Sequence, residues 1–401
     1  MIFEQINGII VLIQNIIEVM NNMSKFAVKC GADRFDTLLK LIKGKRCGLL
    51  TAASGVDSQG IPTYYKLFEA GLLTVLFAPE HGIHSVMQDG GWGGWHIDPE
   101  TGAPVYDLPA NGNPDIDEAL SKCDVVIYDI QDVGARFYTY IYCLTYLMNE
   151  CALRGIPVIV LDRPNPISGS LSSITGAVLD ESQFASFVGR YAIPTRYSLT
   201  CGEFAKYINC KKNIGCNLTV VECEGWRRTM YADETPLPWV NPSPNIPSVN
   251  CAINYIGTCL IEATNISEGR GTTRPFDIVG APFIDSAKLC EEMNSYGLQG
   301  VSFSRAFFTP MFNKWKDSVC EGIQFNIVDR SVYDPHAAGI QLLSALKNYK
   351  EFEWRENGIC LRYGTDALVT SEVIDPKKIL TDEEAGITKY KDEIKNFLIY
   401  E

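Results

Sequence analysis

No Cys-x-x-Cys pair occurs among the fourteen cysteines, which are scattered singly from Cys30 to Cys360. The ligand spacing of a zinc ribbon is therefore missing, and in a chain long enough to build its own core such cysteines are expected as buried, reduced thiols of a cytoplasmic protein. Histidine is scarce, with four residues in 401. No Gly-x-Gly-x-x-Gly follows a strand and no Walker A run is present, which disfavours dinucleotide and nucleoside triphosphate sites. Basic runs are absent as well. With 35 Lys and Arg against 48 Asp and Glu, the formal net charge is -13, the wrong balance for nucleic acid, whose binders cluster cations to displace counterions. Gln14 and Asn15 interrupt the N-terminal apolar run well short of the ~18 residues of a membrane span. No basic residue precedes Lys25, so a signal peptide is not expected.

What is present fits an ordinary globular chain. Hydrophobic residues make up 46% and charged residues 21%, and a prior of ~150 residues per domain gives two or three domains. Ile2, Ile6, Ile9, Ile13, Ile16 and Met20 step as the seam of an amphipathic helix, a packing or dimerising element over residues 1–30 that leaves a homodimer open. Met20 or Met23 is an alternative start.

The most informative stretch runs from Leu72 to His84. Leu73, Val75 and Phe77 alternate as in a short strand, and Pro79 and Gly82 end it with Glu80 and His81 at its carboxyl end, where open α/β sheets keep their chemistry. Three further strands are expected over Cys47 to Thr51, Val125 to Ile130 and Pro157 to Leu161. Between them lie helices over Asp33 to Ile42, Ile61 to Ala70, Asp115 to Ser121 and from Gly134 to Arg154. Strands alternating with helices predict a doubly wound parallel sheet over residues 31–195 with polar strand ends along one edge: Asp129, Gln131, Asp132, Asp162, Arg163 and Asn165. Ile83 to Pro114, rich in Gly and carrying Trp92, Trp95 and His96, reads as a long functional loop, and its aromatic rings suit a sugar-binding lip. Residues 196–401 read as a second α/β domain. There Thr200 to Glu203 forms a capping box, strands are expected over Leu218 to Val221 and Cys320 to Val328, and helices over Asp334 to Lys347 and Ile387 to Tyr400. Asn265 to Phe276 places Glu268, Arg270 and Arg274 among glycines, as in an anion-binding rim.

Six ordered blocks, Pro79 to Gly82, Asp129 to Tyr140, Leu161 to Pro166, Glu224 to Arg228, Pro242 to Asn245 and Asn265 to Phe276, resemble the exo-β-N-acetylmuramidase family, glycoside hydrolase family 171. The resemblance covers about Gly31 to the C-terminus. It implies a Rossmann-like domain, a second α/β domain with the active cleft between them, and release of terminal N-acetylmuramic acid from the non-reducing ends of peptidoglycan fragments without a metal or other cofactor. The family's proposed catalytic glutamate falls on Glu80. Two departures stand out: Thr51-Ala52-Ala53-Ser54 lacks the Asn that often follows the Thr, and Asp89-Gly90-Gly91-Trp92 replaces an acidic Gly-Glu pair.

Glycoside hydrolysis generally needs a protonated carboxyl for the leaving oxygen and a second carboxylate. Glu80 is the candidate acid, while Asp132, Asp162 and Glu268 are candidates for the second role unless the substrate's own N-acetyl group takes it. Candidate substrate contacts are His81, Gln131, Arg136, Tyr138, Arg163, Asn165, Asn245, Asn265, Arg270 and Arg274. Of these, Arg136, Arg270 and Arg274 offer guanidinium forks for the lactyl carboxylate of muramic acid. The competing classes are a metal-dependent hydrolase built on His81, His84 and His96, whose spacing matches no His-Glu-x-x-His helix, and a sugar-binding protein without catalysis.

Overall fold

The computed structural model describes residues 28–88, 94–108, 112–355, 358–370 and 372–401. The expected N-terminal helix and the Asp89 to Trp92 departure lie outside the described residues.

Among the described residues, ten strands form two sheets. The larger contains β1 (Cys47–Thr51), β2 (Leu73–Ala78), β3 (His96–Ile97), β4 (Pro104–Asp107), β5 (Val125–Asp129), β6 (Val158–Leu161) and β7 (Leu218–Val221) in the order β3-β4-β2-β1-β5-β6-β7. All neighbours are parallel except the short edge pair β3 and β4. The chain winds outward from β1 through β2 to β4, then returns to the centre and winds the other way through β5, β6 and β7. That reversal is the doubly wound topology, with its switch point between β1 and β5.

Alternation along the strands divides two cores. Leu50, Val75, Phe77, Val126, Tyr128, Val158 and Val160 face one layer, whereas Cys47, Leu49, Leu76, Ala78, Val125, Ile127, Ile159 and Leu161 face the other. Helices α1 (Phe35–Leu41) and α2 (Thr63–Glu69) cover the second face through Leu38, Tyr64 and Leu67. Helices α3 (Ile116–Ser121), α4 (Tyr140–Arg154) and α5 (Cys201–Lys211) cover the first. Both faces are buried, as a parallel sheet requires. Thr200 caps α5 as expected: its side chain accepts from the Glu203 N–H while the Glu203 carboxylate accepts from the Thr200 N–H at 3.0 Å.

The smaller sheet is antiparallel, with β8 (Ile278–Ala281), β9 (Val301–Phe308) and β10 (Cys320–Ile327) in the order β8-β10-β9. With it in this half of the chain lie α6 (Val249–Thr258), α7 (Ser286–Ser295), α8 (Pro335–Leu346), α9 (Gly358–Tyr363) and α10 (Pro376–Ile394), of which α7 packs on β9 and β10 and α8 packs on α6, α7 and α10. Their apolar side chains run without a break into the first core of the large sheet. The boundary expected at 195/196 therefore does not separate two cores, and β7, beyond it, pairs with β6 of the large sheet.

Two other expectations shift. The loop Ile83 to Pro114 contains β3 and β4, and the helix expected from Gly134 begins only at Tyr140. Gly134 has a φ of 77°, and its N–H donates to the Asp132 carboxylate at 2.6 Å. This Asx turn diverts the backbone from helix.

Candidate active site

The crevice outside β1 and β5, where a doubly wound sheet would hold a nucleotide, is filled by its own side chains. The Arg163 guanidinium pairs with Asp129 at 2.6 Å and also donates to the Val56 carbonyl, while the Thr63 hydroxyl donates to the other Asp129 oxygen at 2.6 Å. A Cβ on Gly55 would lie 2.6 Å from the Asp129 carbonyl oxygen, so this turn closes onto the strand ends.

The chemistry moves one strand outward, to the end of β2. There Glu80 and His81 share a pocket with Tyr138, Thr139, Tyr140, Ser243, Asn245, Tyr255, Glu262, Arg270, Phe276 and Arg362 among its lining residues. His81 and Gly82 both take left-handed backbone, with φ of 74° and 79°, an uncommon conformation for a bulky residue that costs free energy and clusters at functional sites. His81 Nδ1 lies 2.8 Å from the Met87 carbonyl. Glu80 is 9% exposed. The Thr139 hydroxyl donates to its carboxylate at 3.5 Å, and the Tyr140 hydroxyl lies 3.2 Å from its backbone carbonyl and 3.0 Å from that of Pro242. The carboxylate is thus placed by three segments: the β2 end, the β5–α4 loop and the proline-stiffened run before α6.

Aromatic rings line one wall. Tyr138 meets Tyr140 edge-on at 4.6 Å, Tyr255 meets Phe276 at 4.6 Å, and Phe137 meets Tyr255 at 4.9 Å. Another part of the lining is ionic. Glu262, on the short 3-10 turn Cys259–Ala263 that follows α6, accepts from Arg270 on one oxygen (2.6 and 3.1 Å) and from Arg362 of α9 on the other (2.8 and 2.9 Å). Burial pushes the Glu262 carboxyl up, but the two guanidiniums outweigh it and hold its pKa down to about 2. Arg270 also lies 3.4 Å from Glu268, which pairs with Lys314 at 2.8 Å, and its guanidinium sits over the Phe276 ring at 5.0 Å.

Of the expected site residues, Glu80, His81, Tyr138, Asn245 and Arg270 line this pocket, and Glu268 lies directly behind Arg270. The others lie elsewhere. Arg136 is fully buried and donates to four backbone carbonyls, those of Ala177, Ile193, Arg362 and Tyr363, so it ties the β5–α4 loop to α9. Asp162 accepts from the Arg163 and Gly202 N–H groups and from the Thr200 and Tyr400 hydroxyls, fastening the chain end to β6. Asp132 accepts from Gly134 and the Tyr197 hydroxyl. Arg163 is spent on Asp129, and Gln131 donates to the Asp132 and Pro164 carbonyls. Asn165 donates to the Leu199 carbonyl, Asn265 bonds the backbone of Glu351 and Glu353, and Arg274 is exposed outside the pocket. Glu262, Arg362, Thr139 and Ser243 were not among the expected site residues, although Thr139 and Ser243 fall within the blocks Asp129 to Tyr140 and Pro242 to Asn245. Glu262 sits in an apolar run, where a lone acid gives no spacing signal, and Arg362 lies about a hundred residues away.

The histidines do not converge. His84 lies 3.7 Å from Asp98, and His96 lies 3.0 Å from the Gly94 carbonyl. Among the described residues, no group of three His, Cys, Asp or Glu is placed to hold a metal ion.

Comparison with known proteins identifies the family. Residues 47–250 match the family described as "Exo-beta-N-acetylmuramidase NamZ, N-terminal", and residues 253–400 match its C-terminal counterpart. The peptidoglycan beta-N-acetylmuramidase NamZ of Bacillus subtilis is 40% identical over 376 residues, covering 91% of this chain and 90% of that protein. Two crystal structures of DUF1343 family proteins from Bacteroides fragilis superpose with TM-scores of 0.85 and 0.76 at 30% and 27% identity, covering 94% and 93% of this chain and 100% and 99% of theirs. The chain belongs to the exo-β-N-acetylmuramidase NamZ family.

Proposed function

We propose that the protein is an exo-acting glycosidase that releases terminal N-acetylmuramic acid from the non-reducing ends of peptidoglycan fragments, with Glu80 as the general acid. The observation that carries this reading is the placement of Glu80 at the end of β2, nearly buried, in a pocket that joins an aromatic wall to an ionic cluster. Sugar faces pack on aromatic rings, and a fixed carboxyl can protonate a departing glycosidic oxygen. Glu262 also lines the pocket, but both its oxygens carry guanidinium hydrogen bonds. A carboxylate stabilised in this way is a weak base and a weak nucleophile, so the attack at the anomeric carbon is not given to it. A cytoplasmic enzyme acting on wall fragments is consistent with the fourteen cysteines, which are mostly buried and carry no disulfide.

Glu80→Gln keeps the shape of the side chain and removes its proton. With the muramic acid to N-acetylglucosamine disaccharide, whose leaving group is poor, turnover is expected to fall about 10²- to 10⁴-fold. An aryl muramide, whose phenolate needs little protonation, should lose much less. A folded variant that cleaves the disaccharide at the wild-type rate would show that the acid lies elsewhere.

A further inference from the structure

We propose that Lys314, carried on the loop between β9 and β10, is a positioning residue of the active site: from behind the pocket it fixes the spacing between the turn that bears Glu262 and the loop that bears Arg270. This rests on the muramidase reading above and extends the site to a segment, residues 309–319, that does not line the pocket.

Lys314 is 7% exposed, between an exposed Asn313 and a half-buried Trp315. Its ammonium has three N–H donors, and three acceptors surround it: the Ile261 carbonyl at 2.9 Å, the Ile266 carbonyl at 2.6 Å and the Glu268 carboxylate at 2.8 Å. Ile261 directly precedes Glu262 in the 3-10 turn, and Glu268 stands two residues before Arg270. One side chain therefore ties together the two segments whose side chains meet in the pocket, where Arg270 donates to Glu262 at 2.6 Å. The Ile261 carbonyl also accepts from the Thr264 N–H and hydroxyl, so the tie depends most on Ile266 and Glu268. Burial lowers the Lys314 pKa, and the Glu268 charge offsets this only in part. For stability alone an apolar side chain of similar length would serve as well or better. What the ammonium adds is three directed bonds to fixed points.

The loop is shaped to deliver this residue. Asn313, Trp315 and Asp317 all take left-handed backbone, with φ of 68°, 58° and 60°, a costly conformation for residues other than glycine that persists where surrounding contacts impose it. Those contacts fall on the same stretch of chain that Lys314 holds. Trp315 Nε1 donates to the Asn265 carbonyl at 2.6 Å, and the Met311 N–H donates to the Gly271 carbonyl at 2.9 Å. A Cβ on Gly271 would lie 2.8 Å from the Phe312 backbone N and O, so glycine after Arg270 lets the loop dock this closely. The loop thus grips residues 261–271 on either side of the Lys314 ammonium.

Two variants test the role. Lys314→Met keeps the length of the side chain and removes its donors, whereas Trp315→Phe keeps a ring against Phe283 and removes only the bond to Asn265. On a muramide, Lys314→Met is expected to raise KM about tenfold, within the ~10²-fold that a misplacement of about 1 Å can cost, and Trp315→Phe should raise it about twofold. Because Glu80 stands on another element, the ratio of disaccharide to aryl muramide turnover should match wild type in both variants. A merely structural loss would lower apparent kcat in proportion to the unfolded fraction and leave KM unchanged. Hydrogen exchange over residues 262–276 reads the tie without substrate and should quicken about tenfold in folded Lys314→Met. A wild-type KM in folded Lys314→Met would overturn the positioning role, as would a wild-type KM in Trp315→Phe should the first variant not fold. A wild-type protein that cleaves no muramide would instead remove the muramidase reading itself, and unchanged exchange would then remove the tie as well.

Discussion

At the scale of single residues, the sequence identified strand-end polar groups but not the direction in which each one points. Glu80 and Asp162 both follow buried parallel strands, yet Glu80 lines the pocket while Asp162 is surrounded by four donors. A turn dictates which way a side chain faces, and its partners lie far away in sequence; for Asp162 the decisive one is Tyr400. Arg136 is the sharpest case. Read as a substrate fork, it instead gives its guanidinium N–H groups to four carbonyls. Arg136→Met would leave the Ala177, Arg362 and Tyr363 carbonyls without that donor, at about 1–3 kcal/mol each before relaxation, while the Ile193 carbonyl keeps the Leu179 N–H at 3.3 Å. Chemical denaturation is expected to show a loss of at least about 3 kcal/mol, and a variant as stable as wild type would contradict the cross-linking role. Arg274→Ala should do the opposite. From its exposed position, the Michaelis constant for a muramide should stay within about twofold of wild type, as for surface substitutions that touch no special feature. A tenfold rise would place Arg274 at the substrate.

At the scale of elements, the parallel strands were legible because both-face burial writes continuous apolar runs. The outer strands β3 and β4 were not, being short and set in a glycine-rich stretch. Helix α6 was missed because no cap signal stood out in the proline-rich segment before it, although Ser248 does accept from the Cys251 N–H. Its position depends on a contact that sequence cannot show: α6 and α8 cross at glycines, where a Cβ on Gly339 would lie 2.6 Å from Gly257 Cα and one on Gly257 would run into the Pro335 carbonyl oxygen. Alanine in a helix gains about 1 kcal/mol over glycine, but forcing two packed backbones apart costs about 1–3 kcal/mol. Gly339→Ala is therefore expected to be less stable than wild type. It should also lower kcat/KM, since α6 carries Tyr255 and leads into Glu262. A higher melting temperature than wild type would show that the crossing has room to spare.

At the scale of the whole molecule, a few buried groups set how stability varies with pH. Burial pushes Asp132 and Asp162 from 3.8 up to about 6. An acid whose pKa is higher in the folded than in the unfolded state holds more protons when folded between the two values, so its contribution falls as pH rises through that window. His336 acts in the same sense: burial lowers its pKa, the neighbouring Glu383 carboxylate outweighs this and raises it, and the stability it contributes at low pH is lost as pH rises through the raised value. Glu262, held down to about 2 from 4.5, runs the other way and loses its contribution as pH falls from 4.5 towards 2. Together these groups place greatest stability on the acid side of neutrality, near pH ~5. Surface acids also repel one another less as the net charge of -13 is titrated, so a single melting curve does not isolate the buried groups. Asp132→Asn does. It removes one buried titration and leaves the surface unchanged. Between pH 5 and 7.5 the wild type should lose about 1 to 2 kcal/mol more unfolding free energy than the variant, the integral of one proton over that part of the window. The variant should be at least as stable as wild type at pH 7.5, where it no longer buries a charge beside the Tyr197 hydroxyl. Parallel pH profiles for the two proteins would mean that Asp132 ionises in the native protein as it does in the unfolded chain, and that the Tyr197 and Gly134 hydrogen bonds offset the whole cost of its burial.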